Sequence, residues 1–441
     1  MRVARGSAHR RREPRPSDAT VAAFFAATEE LLVHKSFEEV TIADIISGTR
    51  HSRSAFYHHF AGKFDVLVAL ADVVLAESYG GPQLWDTTPG RDRSYGMQAS
   101  ITPTLEMWSS HGGVIGAVVE HMHSNPDIEA VWRPTFDRFV AGVAEQIRHE
   151  RDSGRAPDGA RPEMIATVLV CGIERVMYVC TRELDPHLPA LASAVGAVDW
   201  LTRSVLRPVP NSVPAPSAGT LSSATQARPH GDGPGGAHTQ IEHSGVDPRS
   251  DTTSTAILDS LRDLLLDLPL DKVSVARIVR RAGVSRSTFY FYFDNKNAVF
   301  AELYREVAAS TVHRLQSLDT IDRADRAAVG TVLREWLRID ARTTSVMRSA
   351  LLEWPRRPEL REVYRAGIAQ MADYLGRVIT ADRRSGIAIP GPPPGELSAV
   401  VLWTIERSIA GALAGDDNLT DLHEVTHFLT ELLTTAIYGS P

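Results

Sequence analysis

The feature that most constrains the fold of this chain is an internal repeat of a short, basic and aromatic segment. Residues 41–63 read TIADIISGTRHSRSAFYHHFAGK, and residues 274–296 read SVARIVRRAGVSRSTFYFYFDNK. Both copies carry Ser-Arg-Ser, then Phe-Tyr, then Phe and finally Lys at matching positions. A match of this density indicates an internal duplication. We therefore expect two units of the same fold in one chain.

The second copy has the pattern of two short helices joined by a glycine turn. The first helix places Val275, Ile278 and Val279 on one face and its arginines on the other. Gly283 can adopt the positive φ of a tight turn because it has no Cβ. Ser285 then stands where an N-cap hydroxyl opens the next helix.

The helix after this turn has the composition of a DNA-recognition helix. Its first turn offers Arg286 and the following hydroxyls to base edges or phosphates, and Tyr290 can donate its hydroxyl to a phosphate. Lys296 opens the next helix, where backbone N–H groups and the helix dipole favour an anion. The candidate DNA contacts are Thr41, Ser52, Arg53, Ser54, Tyr57, His58 and Lys63 in the first copy and Ser274, Ser285, Arg286, Ser287, Thr288, Tyr290 and Lys296 in the second.

Both copies resemble the DNA-binding domain of the TetR family of bacterial transcription regulators, which closes with a pattern like G-V-S-x-x-T-F-Y-x-Y-F-x-x-K. The second copy matches this pattern from Gly283 to Lys296, whereas the first has Arg50 and His51 in place of Gly-Val. A non-glycine residue at positive φ costs about 1–2 kcal/mol, so we expect the first turn to be rebuilt around Gly48. Two alternatives stay open: the first copy has lost DNA contact and is a structural partner, or both copies are ordinary amphipathic helices.

Charge distinguishes the two copies. Residues 41–67 have a net charge of +1, whereas residues 274–300 have a net charge of +4. We therefore predict that phosphate affinity depends more on the second copy. The net charge of −7 for the whole chain averages over these basic segments and an arginine-rich start.

The remaining patterns point away from enzymes and membrane proteins. We find no apolar stretch of membrane-spanning length and no signal-peptide core behind the basic start, so we expect a cytoplasmic protein without a membrane partner. Cys171 and Cys180 fall on opposite faces of one predicted helix, which favours buried thiols, with redox sensing as the alternative. No catalytic motif or convincing metal-ligand spacing occurs, and we expect no enzyme activity, cofactor or metal.

Changes in composition divide the chain into six segments. Residues 207–252 are rich in Pro, Gly and Ser and lack aromatic residues, which predicts a disordered linker. The predicted boundaries are 1–17 for a basic disordered tail, 18–79 for the first helix-turn-helix domain, 80–206 for the first ligand and dimerisation domain, 207–252 for the linker, 253–305 for the second helix-turn-helix domain and 306–441 for the second ligand and dimerisation domain.

Each copy is followed by long helices with apolar residues at i, i+3 and i+4 spacing. This layout is similar to the TetR C-terminal domain, which implies an apolar ligand cavity and a dimer interface made by the last two helices. Glu174 and Glu406 each precede an arginine, and an acid within an apolar helix must be paired, exposed or used. For any single large apolar residue, core filling is the alternative. The candidate pocket residues are Trp108, Trp132, Phe136, Glu174, Met177 and Tyr178 in the first half and Trp336, Trp354, Tyr364, Trp403 and Glu406 in the second.

The sequence thus predicts an all-α chain of two TetR-like units, each with an N-terminal three-helix helix-turn-helix domain and a helical ligand-binding and dimerisation domain. The resemblance implies a transcriptional repressor that binds double-stranded operator DNA and is released by a hydrophobic small-molecule effector. The competing interpretation is a helical scaffold that sequesters a small molecule or a protein without binding DNA. With both recognition helices on one chain, we expect an intramolecular pseudo-dimer, and a homodimer of two chains is the alternative.

Overall fold

The computed structural model describes residues 16–80, 93–205 and 248–439, and in these ranges it contains helices and no β-strand. The all-α prediction is confirmed. The predicted tail, residues 1–17, and the predicted linker, residues 207–252, lie almost wholly outside the described residues. Their last residues are corrected from disorder to helix, because Pro16 and Pro248 each open a helix with a preset φ.

The two halves of the chain, residues up to 205 and residues from 248, contain matching series of helices. In the first half, the described residues form α1 (Pro16–His34), α2 (Ile42–Ser47), α3 (Arg53–His59), α4 (Lys63–Tyr79), α5 (Arg93–His121), α6 (Pro126–Asp152), α7 (Pro162–Thr181) and α8 (Leu191–Val205). In the second half, they form α9 (Pro248–Asp267), α10 (Val275–Ala282), α11 (Arg286–Tyr292), α12 (Lys296–Gln316), α13 (Arg326–Leu337), α14 (Ala341–Glu353), α15 (Pro358–Arg384), α16 (Pro394–Ala414) and α17 (Leu422–Tyr438).

The helix boundaries repeat the sequence duplication. The starts of α10, α11 and α12 follow those of α2, α3 and α4 at one constant interval along the chain, and the starts of α15 and α16 follow those of α6 and α7 at nearly the same interval. The largest difference is at α5, which is one helix bent at His111, where φ is −126°. Its counterpart in the second half is two helices, α13 and α14. The duplication therefore extends through both halves.

The described residues form two compact units. One unit consists of residues 248–303, and the other joins the described residues of the first half to residues 304–439. The smaller unit holds α9 to α11 and the start of α12. Apart from the start of α12, the helices that follow the recognition segments in both halves therefore belong to one unit.

Within the larger unit, α7, α8, α16 and α17 form a four-helix bundle that joins the two halves. α7 packs along α16 at close range, because a Cβ on Gly172 would lie only 2.5 Å from the Thr404 Oγ1. At the edge of the bundle, Trp200 Nε1 donates to the carbonyl oxygen of Ala436 at 2.9 Å. The bundle thus buries helices of one half against helices of the other.

Two reciprocal ion pairs cross this bundle. Arg407 Nε lies 2.9 Å from Glu174 Oε1, and Arg175 Nε lies 2.8 Å from Glu406 Oε2. All four residues are at most 4% exposed. Each buried carboxylate is therefore neutralised by the arginine of the other half, and not by the arginine that follows it in sequence.

The same bundle corrects one expectation. α7 and α16 are long and apolar enough to span a membrane by length and composition, although the sequence was expected to contain no such stretch. In the structure, 83% of each apolar window is buried inside the protein. Helices that are apolar on every side are required at such a position, because other helices surround them.

Candidate nucleic-acid interface and ligand cavities

The second helix-turn-helix unit has the local geometry that its sequence predicts. α10 ends at Gly283, which is left-handed with φ of 68°. Ser285 then caps α11, since its Oγ accepts a hydrogen bond from the backbone N–H of Thr288 at 3.0 Å. Ser274 caps α10 in the same way, with its Oγ 3.4 Å from the backbone nitrogen of Arg277. The predicted turn and caps are confirmed.

One aromatic residue anchors α11 while its neighbours are exposed. Phe289 is fully buried, whereas Tyr290 is 56% exposed and Phe291 is 81% exposed. Arg286 and Ser287 in the first turn are also exposed. α11 thus presents a basic, hydroxyl-bearing and aromatic surface of the kind that contacts phosphates and bases. Phe291 is not among the predicted DNA contacts, although its place two residues after Phe289 puts it on the opposite side of the helix.

The first helix-turn-helix copy, residues 41–63, reaches its recognition helix through a different turn. None of residues 48–52, all of them described, has a positive φ, and Gly48 lies at φ −73°. Instead, Thr49 Oγ1 donates to the carbonyl oxygen of Ile46 at 3.0 Å and accepts from the backbone N–H of His51 at 3.2 Å. The turn is rebuilt as expected, with the Thr49 hydroxyl closing it.

The recognition helix α3 keeps the cap of α11 but holds its arginine differently. Ser52 Oγ accepts from the backbone N–H of Ala55 at 3.2 Å. The Arg53 guanidinium lies 5.6 Å from the ring centroid of Tyr57 and within 3.4 Å of its hydroxyl. Tyr57 is 46% exposed. The other predicted contacts on this helix are also exposed, namely Ser54 and His58.

An acidic capping box opens α2 in the first unit. Thr41 Oγ1 accepts from the backbone N–H of Asp44 at 3.1 Å, and Asp44 Oδ2 accepts from the backbone N–H of Thr41 at 3.0 Å. These hydrogen bonds from Thr41 lower the pKa of the Asp44 carboxyl, which therefore stays ionised. The equivalent position in α10 is Arg277. The two units thus present opposite charges at this point.

The two lysines predicted to contact phosphate have a different role in the structure. The Nζ of Lys63 donates at 2.8–3.2 Å to three carbonyl oxygens of the loop before α2, those of Phe37, Glu38 and Val40. The Nζ of Lys296 does the same, also at 2.8–3.2 Å, with the carbonyl oxygens of Leu270, Asp271 and Val273. Because an ammonium has three donors, the predicted phosphate contact is corrected to a contact that positions the loop.

A cavity with an empty volume of about 580 Å³, its mouth included, lies between α4, α5, α6 and α7. Its wall is aromatic and apolar with few polar groups, and it is formed by Tyr79, Ile101, Thr104, Met107, Trp108, Trp132, Phe136, Phe139, Val170, Ile173 and Glu174. Burial raises the pKa of Tyr79 to about 12, so its hydroxyl stays protonated. Four predicted pocket residues therefore line this first cavity: Trp108, Trp132, Phe136 and Glu174.

A second cavity, with an empty volume of about 740 Å³, lies between α12, α13, α14, α15 and α16. Three predicted residues line it, namely Trp336, Tyr364 and Glu406. Most of its remaining wall is apolar, including Met347, Ile368 and Met371. Unlike the described wall of the first cavity, it also contains arginines, Arg314 and Arg338.

Four other predicted pocket residues lie in the core and line neither cavity: Met177, Tyr178, Trp354 and Trp403. The Tyr178 hydroxyl donates to Glu120 Oε1 at 2.9 Å, and Trp403 Nε1 donates to Asp185 Oδ2 at 2.7 Å. A buried phenol or indole needs such a partner, and these partners lie far away in sequence. Helical spacing alone does not distinguish this use from pocket lining.

The two cysteines are buried free thiols, as predicted. Burial raises the pKa of Cys171 and of Cys180 to about 12. Both thiols therefore stay protonated at neutral pH, and because the thiolate is the reactive form, redox sensing by either residue is disfavoured.

Each half of the chain matches the same two protein families, first a DNA-binding domain and then a C-terminal domain. Residues 24–70 and 257–303 match the family described as "Bacterial regulatory proteins, tetR family", and residues 97–204 and 326–439 match "Transcriptional regulator EthR, C-terminal domain". The HTH-type transcriptional regulator EthR of Mycobacterium tuberculosis is 30% identical over 197 residues, which are 44% of this chain and 90% of that protein. EthR of Mycolicibacterium smegmatis is 29% identical over 177 residues, 40% of this chain and 82% of that protein.

A solved structure with a matching segment is that of NalD, the secondary repressor of the MexAB-OprM multidrug efflux pump in Pseudomonas aeruginosa. It is 21% identical with a TM-score of 0.34, and the match covers 43% of this chain and 98% of NalD.

Proposed function

The chain belongs to the TetR family of bacterial regulatory proteins and is a DNA-binding transcriptional regulator; we propose that it is a cytoplasmic repressor released from its operator by a hydrophobic small molecule. We further propose that its two halves act as an intramolecular pseudo-dimer. The observation that carries the proposal is the pair of reciprocal buried ion pairs, Glu174 with Arg407 and Glu406 with Arg175, which join the halves of one chain.

The proposed DNA contacts are the exposed polar residues of the two recognition helices. In α11 these include Arg286 and Tyr290, which stand on a helix whose N-terminus is capped and whose Phe289 is fixed in the core. In α3 the corresponding residues are Arg53 and Tyr57. Because Arg53 is already held by Tyr57, we propose that α11 contributes more binding free energy than α3.

The pseudo-dimer replaces a pairing that family members normally obtain from two chains. A buried carboxylate without its partner is strongly destabilising, so each half requires the other half's arginine. Both partners are present on one chain, which raises the effective concentration of each half near the other. Since the recognition helices differ in sequence, we propose that the operator has unequal half-sites.

We propose that the effector releases the protein from its operator through the helices that connect the cavity to the DNA-binding domain. In the first half, α4 begins at Lys63, which fixes the loop before α2, and ends at Tyr79, which lines the first cavity. A ligand that changes the packing around Tyr79 would therefore shift α4 and the helix-turn-helix unit together. Such a ligand weakens operator binding only if it binds the released arrangement more tightly.

The test uses the full chain and the DNA upstream of its own gene. Light scattering on the free protein should give 48.2 kDa, the mass of one chain. A binding titration at fixed salt should then show one chain on a minimal operator and lower affinity when a hydrophobic effector is added. A stable species with the mass of two chains would contradict the pseudo-dimer, and a chain that binds no DNA would support the scaffold interpretation.

A matched pair of controls separates specific from general binding. The double replacement of Arg286 and Tyr290 should abolish preference for the operator while keeping the fold, because both side chains are exposed. Replacing Arg148, an exposed arginine on α6 paired with Glu163, should leave operator binding unchanged. Equal losses in the two variants would mean that binding depends on general charge alone.

A further inference from the structure

The duplication allows the two cavities to be compared at one carboxylate. Glu174 on α7 and Glu406 on α16 occupy equivalent positions, and each lines the cavity of its own half. Each also forms an ion pair with the arginine of the other half. The two carboxylates differ in their remaining hydrogen bonds.

Both oxygens of Glu406 contact protein groups, although only Oε1 accepts hydrogen bonds, and Oε2, like Glu174 Oε2, has no hydrogen-bond partner among the described residues. Glu406 Oε1 accepts hydrogen bonds from Trp354 Nε1 at 2.9 Å and from the Tyr364 hydroxyl at 3.3 Å. Glu406 Oε2 forms the ion pair with Arg175, 2.8 Å from the Nε. A ligand in the second cavity would have to displace one of these groups before it could bind this carboxylate.

Glu174 retains an open position. Its Oε1 accepts from Arg407 Nε at 2.9 Å, but its Oε2 is buried and has no hydrogen-bond partner among the described residues. The positions equivalent to Trp354 and Tyr364 are Met122 and Trp132. Met122 has no hydrogen-bond donor, and the Nε1 donor of Trp132 makes no hydrogen bond among the described residues, so neither equivalent residue donates to Glu174.

Trp132, which lines the first cavity together with Glu174, carries an unpaired donor as well. Its Nε1 is buried without a hydrogen-bond partner in the described part of the chain. A buried donor and a buried acceptor that stay unpaired are both costly. A ligand that accepts from Trp132 Nε1 and donates to Glu174 Oε2 would remove both costs.

We propose that the first cavity selects an uncharged, largely apolar ligand that carries a hydroxyl or an N–H amide group. The ligand hydrogen is donated to Glu174 Oε2, and the ligand oxygen accepts from Trp132 Nε1. The ligand is uncharged because Glu174, the only charged side chain among the described residues of the wall, is already paired with Arg407, and a further charge would be buried without a counter-ion. This inference rests on the proposed function, since it names the effector class for one of the two cavities.

The test compares three probes of similar size: 4-phenylbutan-1-ol, its methyl ether, and pentylbenzene. Calorimetry is performed on the full chain with the Gly367→Leu substitution, which fills the second cavity from its wall, where a Cβ meets only Ala308 at 3.6 Å. The alcohol should bind at least about tenfold more tightly than the ether or the hydrocarbon, because only the alcohol donates to the carboxylate.

Three variants test whether the preference for the alcohol depends on Trp132 and Glu174. Trp132→Phe should weaken the alcohol and the ether while leaving the hydrocarbon unchanged. Glu174→Gln should bring the alcohol and the ether close to equal affinity, because an amide also donates. The matched control is Tyr364→Phe, which changes the equivalent position of the filled cavity and should keep the alcohol preference.

Equal affinity for the three probes, or no binding of any of them, would overturn the inference. It would also be overturned if Glu174→Gln kept the preference for the alcohol over the ether, or if Trp132→Phe left the affinities of the alcohol and the ether unchanged. Operator binding is measured separately with the same alcohol. An alcohol that binds with the expected preference but leaves operator affinity unchanged supports the inference and contradicts effector release.

Discussion

The two halves of the molecule have kept one interface and changed what lies around it. The ion pairs across the bundle repeat one arrangement, with 2.9 Å between Arg407 and Glu174 and 2.8 Å between Arg175 and Glu406. The DNA-binding units have diverged instead. Residues 24–70 have a net charge of −2, whereas the matching residues 257–303 have a net charge of +1.

This contrast shows which contacts a duplication can change separately. An interface residue must stay complementary to a residue in the other copy, so Glu174 cannot change without consequence for Arg407. A surface residue has no such partner, and the position of Asp44 in α2 is occupied by Arg277 in α10. The two copies can therefore diverge in their DNA-contacting surfaces and in their ligand cavities while the bundle interface stays the same.

The largest expected effect comes from breaking the buried ion pairs of the bundle, which are the same in both halves. Arg407→Leu and Arg175→Leu should each lower the free energy of unfolding by about 3–5 kcal/mol, because each leaves a buried carboxylate unpaired. Chemical denaturation of the full chain measures this. The control is Arg148→Leu, which breaks the exposed pair with Glu163 and should cost about 1 kcal/mol or less. If all three replacements cost the same, the buried pairs do not hold the halves together.

The next effect concerns DNA binding. We expect Arg286→Ala and Tyr290→Phe to weaken operator binding more than Arg53→Ala and Tyr57→Phe, with losses of about 1–3 kcal/mol for a base contact. The reason is the more positive second unit and the contact that already holds Arg53 against Tyr57. Binding titrations at one salt concentration compare the four variants. Equal or reversed losses would show that the first unit is not the weaker partner.

Acid should destabilise the protein through buried histidines of the first half. Burial, with smaller contributions from Arg356 and Lys63, lowers the pKa of His121 to about 4, and burial also lowers the pKa of His123. A histidine whose folded pKa is depressed stabilises the protein above its unfolded pKa of about 6.5 and loses that contribution as the pH falls towards 4. The equivalent positions in the second half are Glu353 and Pro355.

The measurement is urea denaturation at pH 7 and pH 5. For His121 alone the shift in pKa corresponds to about 2 kcal/mol between these pH values. His121→Gln should reduce the loss, because glutamine does not titrate. If His121→Gln loses as much stability between pH 7 and pH 5 as the unmodified chain, His121 is not the cause of the loss.

The smallest effect distinguishes the two turns. Gly283→Ala should cost about 1 kcal/mol, because alanine is strained at φ of 68° although a Cβ there would meet nothing within 4 Å. Gly48→Ala has no such backbone strain, since φ of −73° suits alanine, and its cost should come from crowding, because the new Cβ would lie 3.0 Å from the Cβ of the buried Ala27. Thermal denaturation tests this difference: Ala27→Gly should relieve the cost of Gly48→Ala, whereas a cost that persists in the double variant would contradict it.

Local structure in the DNA-binding units could be predicted because its causes are local. The caps by Ser52 and Ser285 and the left-handed Gly283 depend on residues within one turn of helix. The lysines were misassigned because their carbonyl partners lie on a loop that comes well before them in the chain. A sequence pattern shows that Lys296 begins a helix but not which loop folds over it.

The cavities were only partly predictable for a related reason. Trp132 and Trp354 are both large aromatic residues on apolar helices, yet one lines a cavity and the other donates to Glu406 in the core. The difference depends on partners that come together only in the folded chain. The reciprocal ion pairs also escaped prediction, because each glutamate is paired with an arginine of the other half and not with its neighbour in sequence.

The pairing of α7 with α16 inside one chain has a genetic consequence. When a regulator assembles from two chains, a defective copy of the gene yields mixed dimers that inactivate normal chains, and operator occupancy falls with the square of concentration when chains are scarce. If the chain acts as the proposed pseudo-dimer, it forms no such mixtures. Defects in either DNA-binding unit should then be recessive to a normal copy of the gene, and repression should respond to gene dosage in direct proportion.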